Sequence, residues 1–218
     1  MEGAWPVVKE HQSDYMHREK ANDERLSIQT TGDQQGFPQL AHYHRYEPTP
    51  YAGLDELFER CTLDAGDGFV DVGCGKGRVA FYVHDRFRNS VTGIEMNPAF
   101  FEVCLQNKMG YMKRRKRRHG LIDFQCVMAQ EYEVKPEDTV FYFFNPFSVQ
   151  IFMRVVQRIL ASMEASPRQV TLILYYPSDE YLYYLEHQTV FDWLDEVKIS
   201  GMYEKNEHER FVLFQYRS

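Results

Sequence analysis

Four strand-forming residues, Phe69-Val70-Asp71-Val72, run straight into Gly73-Cys74-Gly75-Lys76-Gly77, and a helix-like segment from Val79 to Phe87 follows at once. No other stretch limits the chain so strongly. Three glycines at alternate positions supply positive φ and allow the backbone to approach a neighbour or ligand closely. A strand, a tight turn and a helix in that order open a βαβ unit, whose next strand returns parallel to the first.

The remaining chain keeps this rhythm. Val91 to Glu95 forms a second strand pattern, and Asn97 then caps a helix with Pro98 at its first position, running to about Met112. Ile122 to Val127 is a third strand. Thr139 to Phe144 is apolar on both faces, as a central strand must be. Ser148 precedes a helix with Ile151, Phe152, Val155, Val156 and Ile159 on one side; Val170 to Tyr176 is a fifth strand, and Asp179 to Gln188 a short helix. Trp193 to Ser200 and Phe211 to Tyr216 flank the polar loop Glu204-Lys205-Asn206-Glu207 as a terminal hairpin. The expected fold is α/β: a doubly wound, mostly parallel seven-stranded sheet ending in an antiparallel hairpin.

The 218 residues suffice for one such domain and a modest appendage. Residues 1–36 lack sustained apolar periodicity and end in Thr31-Gly32-Asp33-Gln34-Gln35-Gly36, so they are expected to be a flexible or loosely docked arm with room for one short helix; residues 37–218 form the domain. The start, Met1-Glu2-Gly3-Ala4-Trp5-Pro6, has neither the basic end nor the apolar run of a signal peptide, and no segment is apolar enough to span a membrane, so a cytoplasmic protein is expected. Cys61, Cys74, Cys104 and Cys126 form no Cys-x-x-Cys pair, and the eight histidines show no ligand spacing, so no metal site is expected. A net charge of -7 argues against general attraction to nucleic acid, although Lys113 to Arg118 is a dense basic run.

The ligand of the glycine loop can be narrowed by what is missing. Gly73 and Gly75 fit the dinucleotide fingerprint, but its third glycine position holds Arg78, and Gly75-Lys76-Gly77 lacks the hydroxyl of a nucleoside triphosphate loop. Asp71 stands at the strand end, where it can accept from an ammonium group. Glu95 ends the second strand, suited to ribose hydroxyls.

Together, Asp71-x-Gly73-x-Gly75-x-Gly77 and Glu95 resemble motifs I and II of the class I, Rossmann-like S-adenosylmethionine-dependent methyltransferases, and the resemblance extends from about Tyr46 to the C-terminus. It implies S-adenosylmethionine as cofactor and S-adenosylhomocysteine as product. Gly73, Gly75 and Gly77 would line the methionine and ribose moieties, with Cys74 contributing backbone. Met96 would pack on the adenine, and Gln130, where the family more often has Asp, would reach its amine. Tyr46-x-Pro48-Thr49-Pro50-Tyr51 resembles a segment that folds over the cofactor, with Thr49 and Tyr51 covering the methionine end. Asn145-Pro146-Phe147 is similar to the Asp/Asn-Pro-Pro-Tyr/Phe motif of amino-directed members, with one proline in place of two. It implies catalysis by these residues: Asn145 would hold a nitrogen nucleophile while Phe147 stacks on a planar substrate. A strand-end turn in which Asn145 touches only the cofactor is the other reading. The acceptor is expected to be an RNA or protein amine ahead of a small molecule; the oligomeric state is not expressed in the sequence. Two alternatives stand beside this: a non-catalytic cofactor-binding regulatory module, marked by a plugged acceptor mouth, and a nucleotide-dependent oxidoreductase, disfavoured by Arg78.

Overall fold

The computed structural model describes residues 6–32, 46–114 and 121–216, with backbone alone for 6–13. In chain order the elements are helix α1 (Pro6–Leu26), α2 (Tyr51–Arg60), strand β1 (Gly68–Val72), α3 (Arg78–Phe87), β2 (Ser90–Ile94), α4 (Pro98–Arg114), β3 (Ile122–Gln125), a 3-10 turn (Ala129–Glu131), β4 (Asp138–Phe144), α5 (Val149–Ala165), β5 (Val170–Tyr175), α6 (Asp179–Gln188), β6 (Asp192–Lys198) and β7 (Arg210–Tyr216). They build one seven-stranded sheet in the order β3-β2-β1-β4-β5-β7-β6. β1 to β5 are parallel; β7 pairs antiparallel with both β5 and β6. The doubly wound sheet with its antiparallel end is as the strand–helix alternation predicted.

Alternate side chains of the central strands enter two separate apolar layers, as the period of two requires. Phe69, Val140, Tyr142, Ile173 and Leu213 join the layer under α2, α3 and α4. Val70, Phe141, Phe143, Leu172 and Phe214 join the layer under α5 and α6. α5 supplies Ile151, Phe152, Val155, Val156 and Ile159, and the Phe152 ring stacks on Tyr181 of α6 at 3.8 Å. Each such buried side chain contributes about 1.5–3 kcal/mol. Helix starts follow the expected residues, with one exception in detail. Asn97 Oδ1 accepts from Ala99 N at 2.9 Å, whereas Ser148 occupies the cap position of α5 without a side-chain cap bond.

The largest departure from expectation is α1. It is 21 residues long, and its inner face is firmly seated, not loose. Leu26 and Ile28 enter the α3 side of the core, and Glu19 and Asp23 are buried. Gly110 of α4 lets this segment in: a Cβ there would lie 2.6 Å from the Ser27 carbonyl oxygen. The boundary expected at residue 36 falls outside the described residues, as do Arg115 to Arg118 of the basic run. Arg114, which ends α4, donates to the Glu24 carbonyl at 2.8 Å. Among the described residues no helix is long and apolar enough to cross a membrane.

Candidate active site

The strand order reverses between β1 and β4, so the loops that leave these neighbours diverge and open a crevice beyond their carboxyl ends. The glycine loop leaves β1 on one side; Asn145-Pro146-Phe147 leaves β4 on the other.

Gly73, Gly75 and Gly77 have φ of 79°, 56° and 85°. Two of them also answer a close approach. A Cβ on Gly73 would stand 2.7 Å from Pro146 Cβ, and one on Gly75 would stand 2.2 Å from the Tyr46 ring. The loop is tied to the end of β2: Gly73 N and Cys74 N both donate to the Ile94 carbonyl at 2.9 Å, and Gly75 N donates to Glu95 Oε2 at 2.9 Å. Asn97 N donates to the other Glu95 oxygen at 2.7 Å. Burial pushes the Glu95 carboxyl up to about 7, opposed by these N–H groups. Burial likewise pushes Asp71 up to about 7, and the nearby Glu95 charge adds to the rise. Asp71 Oδ2 is buried with no hydrogen-bond partner among the described residues. Such an oxygen costs stability unless a ligand donates to it. The Cys74 thiol is raised well above its usual range by burial, so it is no nucleophile.

Two cavities meet here. The first holds about 110 Å³ and is lined by Thr49, Asp71, Gly73, Cys74, Gly75, Glu95, Met96, Pro146 and Phe147 among others. The second holds about 940 Å³ and opens between α1, Asn145, the end of β5 and the loop before β7. Tyr46, Glu47, Pro48 and Phe144 border both. Adjacent residues thus face different chambers: Asn145 the second, Pro146 the first.

Three expected cofactor contacts lie outside the first cavity's lining. Gly77 is the N-cap of α3, under Phe124 and Phe81. Tyr51 is buried in α2, its hydroxyl donating to Asp23 at 2.7 Å. Gln130 sits in the 3-10 turn and donates to Met128 Sδ. Phe147 is 1% exposed and packs edge-on to Phe143, so its ring belongs to the core and is not offered to a substrate in the second cavity.

What motif reading missed is the arm's part in the site. Arg78, the residue that breaks the dinucleotide fingerprint, is a buried clamp. It pairs with Glu19, lies 3.7 Å from Asp23, donates to Thr30 Oγ1 at 2.7 Å and to the Thr49 carbonyl at 3.1 Å. Residues 28–32 are thereby strapped across the glycine loop. Lys76 Nζ donates to the Thr31 and Gly32 carbonyls, Asn107 Nδ2 to Gln29 and Lys76 carbonyls, and the Tyr46 hydroxyl to the Thr30 carbonyl. No local pattern announces these partners, because their burial is polar and the separations of Lys76 and Arg78 from residues 30–32 exceed 40 residues.

Residues 70–163 match the family model of the methyltransferase domain. Residues 70–163 are a methyltransferase domain, set in a Rossmann-like fold. The matched span starts in β1 and ends in α5, taking in the glycine loop, Glu95 and Asn145. No curated protein matches the chain. Among solved structures, a candidate RNA methyltransferase from Pyrococcus horikoshii aligns over 91% of this chain and 97% of its own, with TM-score 0.55 and 16% identity. The [4+2]-cyclase SpnF aligns over 91% and 93%, with TM-score 0.53 and 16% identity. A geranyl diphosphate C-methyltransferase from Streptomyces coelicolor A3(2) aligns over 76% of each chain, with TM-score 0.51 and 14% identity. At these identities the likeness is one of fold.

The cofactor that the motifs around Asp71 and Glu95 imply is S-adenosylmethionine, which would supply a methyl group activated on a sulfonium. The residues present fit it. A buried carboxylate oxygen without a partner suits an ammonium group, and two carboxylate oxygens whose bonds to Gly75 and Asn97 use only part of their acceptor capacity suit hydroxyl donors. The chamber beside Asn145 is open, unlike the plugged mouth that a purely regulatory module would have.

Proposed function

We propose that the methyltransferase acts on a nitrogen acceptor held beside Asn145, in the cytoplasm, with the cofactor in the first cavity. Asp71 holds the cofactor's ammonium. The backbone of Gly73, Cys74 and Gly75 passes along its methionine and ribose portions, Glu95 takes the ribose hydroxyls, Met96 packs on the adenine and Thr49 covers the methionine end. Gly77 and Tyr51 act from behind, by shaping the loop and holding the arm, and Gln130, whose buried Oε1 has no hydrogen-bond partner among the described residues, reaches the adenine amine.

One observation carries the nitrogen assignment: Asn145 borders the acceptor chamber while the next residue, Pro146, borders the cofactor chamber. An amide oxygen at that junction can accept from an N–H and aim its lone pair in line with the methyl carbon, and orientation is most of what the protein must supply. Asn145 takes a φ of 36°, which Asn tolerates better than other non-glycine residues. Asn145→Ala should lower turnover about a hundredfold with affinity for S-adenosylhomocysteine unchanged. The measurement is methyl transfer from labelled cofactor, with the acceptor atom identified by mass spectrometry. Turnover equal to the parent removes Asn145 from the mechanism, and methyl found on oxygen or carbon overturns the nitrogen assignment.

A further inference from the structure

The chemistry of the second cavity singles out one class of nitrogen. Among the described residues its walls carry the carboxylates of Glu19, Glu47 and Glu209 and one cation, Arg78. Arg78 is already taken by Glu19, with Asp23 close by. Among the described residues no cation pairs with Glu47 or Glu209; Glu209 accepts only from the Tyr175 hydroxyl. The three carboxylates share this cavity with Tyr15, whose phenol burial pushes up to about 12, with Glu19, Glu209 and Glu47 adding to the rise and Arg78 opposing it. Between the acids stand aromatic faces: Tyr15 from α1, Phe144 from β4, and Tyr175 and Tyr176 from the end of β5. Tyr176 is fixed by the hydrogen bond from Asn206 at 2.8 Å and holds a φ of 52°, unusual outside glycine.

Negative charge interleaved with aromatic faces attracts an organic cation twice, through Coulomb attraction and through the ring quadrupoles. The same walls repel phosphates, and a chain that reads RNA needs cations along its path. We infer that the acceptor is an alkylamine that enters as its ammonium ion, the chemistry of a lysine side chain or of a free aliphatic amine. This rests on the nitrogen assignment above. For transfer the ammonium loses one proton to water at the cavity mouth. The freed lone pair forms the nitrogen–carbon bond as the carbon–sulfur bond breaks and its electron pair stays on sulfur. The methylated amine carries the positive charge away, and the thioether product is neutral at sulfur.

The test is direct binding to the full chain saturated with S-adenosylhomocysteine, by calorimetry, with three probes: butylamine, a lysine-rich peptide and a short single-stranded RNA. Butylamine and the peptide are expected to bind and the RNA not. A peptide that binds more tightly than butylamine identifies a protein acceptor; equal affinity identifies a free amine. Glu209→Gln should weaken amine binding about tenfold, the loss of one charge-assisted contact, and Glu209→Lys should abolish it. Both variants should keep the parent's S-adenosylhomocysteine affinity, which certifies their fold. RNA binding without amine binding, or amine binding indifferent to both substitutions, overturns the inference. Methyl recovered on an RNA base nitrogen would overturn it while sparing the nitrogen assignment; methyl on oxygen or carbon would fell that assignment itself.

Discussion

The two chambers that meet at Tyr46 are made in opposite ways. The cofactor chamber is built largely from short-range pieces: one loop after β1, the end of β2, and the first residues after β4. The acceptor chamber gathers α1, residues 46–50, the ends of β4 and β5, and the loop before β7. One depends on backbone shape and two buried carboxylates. The other depends on side chains brought together from both ends of the chain. Most of the first chamber's lining falls within the matched residues 70–163, while Tyr15, Glu19, Tyr176 and Glu209 of the second lie outside that span.

The contrast can be broken most forcibly at Arg78, which lines the second chamber and opens the helix that follows the glycine loop of the first. Arg78→Met strands two buried carboxylates and should cost about 3–5 kcal/mol of stability in a denaturant titration. A cost below about 1 kcal/mol, the worth of an exposed pair, would mean that the clamp is not a structural joint. Gly75→Arg comes next. A side chain at a φ of 56°, with its Cβ driven into Tyr46, should weaken S-adenosylhomocysteine roughly a hundredfold or more by calorimetry. Unchanged affinity would take the glycine loop out of the cofactor site.

The smallest effect is on pH. Asp71 and Glu95 are both raised to about 7 from ordinary carboxylate values. The cofactor-free fold therefore binds more protons than the unfolded chain between about 4 and 7, and their contribution to stability is complete below that window and lost as pH rises through 7. Ligand binding has the opposite sign, because an ammonium and hydroxyl donors favour the ionised carboxylates. Affinity for S-adenosylhomocysteine should rise about tenfold from pH 6 to pH 8, and Asp71→Asn should remove the Asp71 share of that rise. A flat profile in the parent would separate these carboxylates from the ligand.

How much of this was legible follows from the same division. Strand and helix order could be read because apolar side chains recur at the periods of the two structures, from Phe69 in β1 to Phe214 in β7. Asp71, Gly73, Gly75 and Glu95 could be read because they are fixed by a local turn and the strand beside it. α1 escaped because it buries Glu19 and Asp23, residues whose pattern signals solvent until their cation is known. Glu209 escaped because the hairpin loop before it looks like any polar connection. Phe147 misled for the converse reason: a motif position suggested exposure where packing against Phe143 had already claimed the ring.

The clamp also has a bearing on the order in which the chain acquires its shape. Glu19 and Asp23 leave the ribosome before the cation that seats them; 59 residues separate Glu19 from Arg78. At roughly 5–20 residues per second, α1 spends several seconds with two carboxylates that have no counter-ion to bury against. Its long loop must wait for β1 and the start of α3 before closure is rewarded. α1 can be set in place only once the start of α3 has emerged, and with it comes one wall of the second chamber.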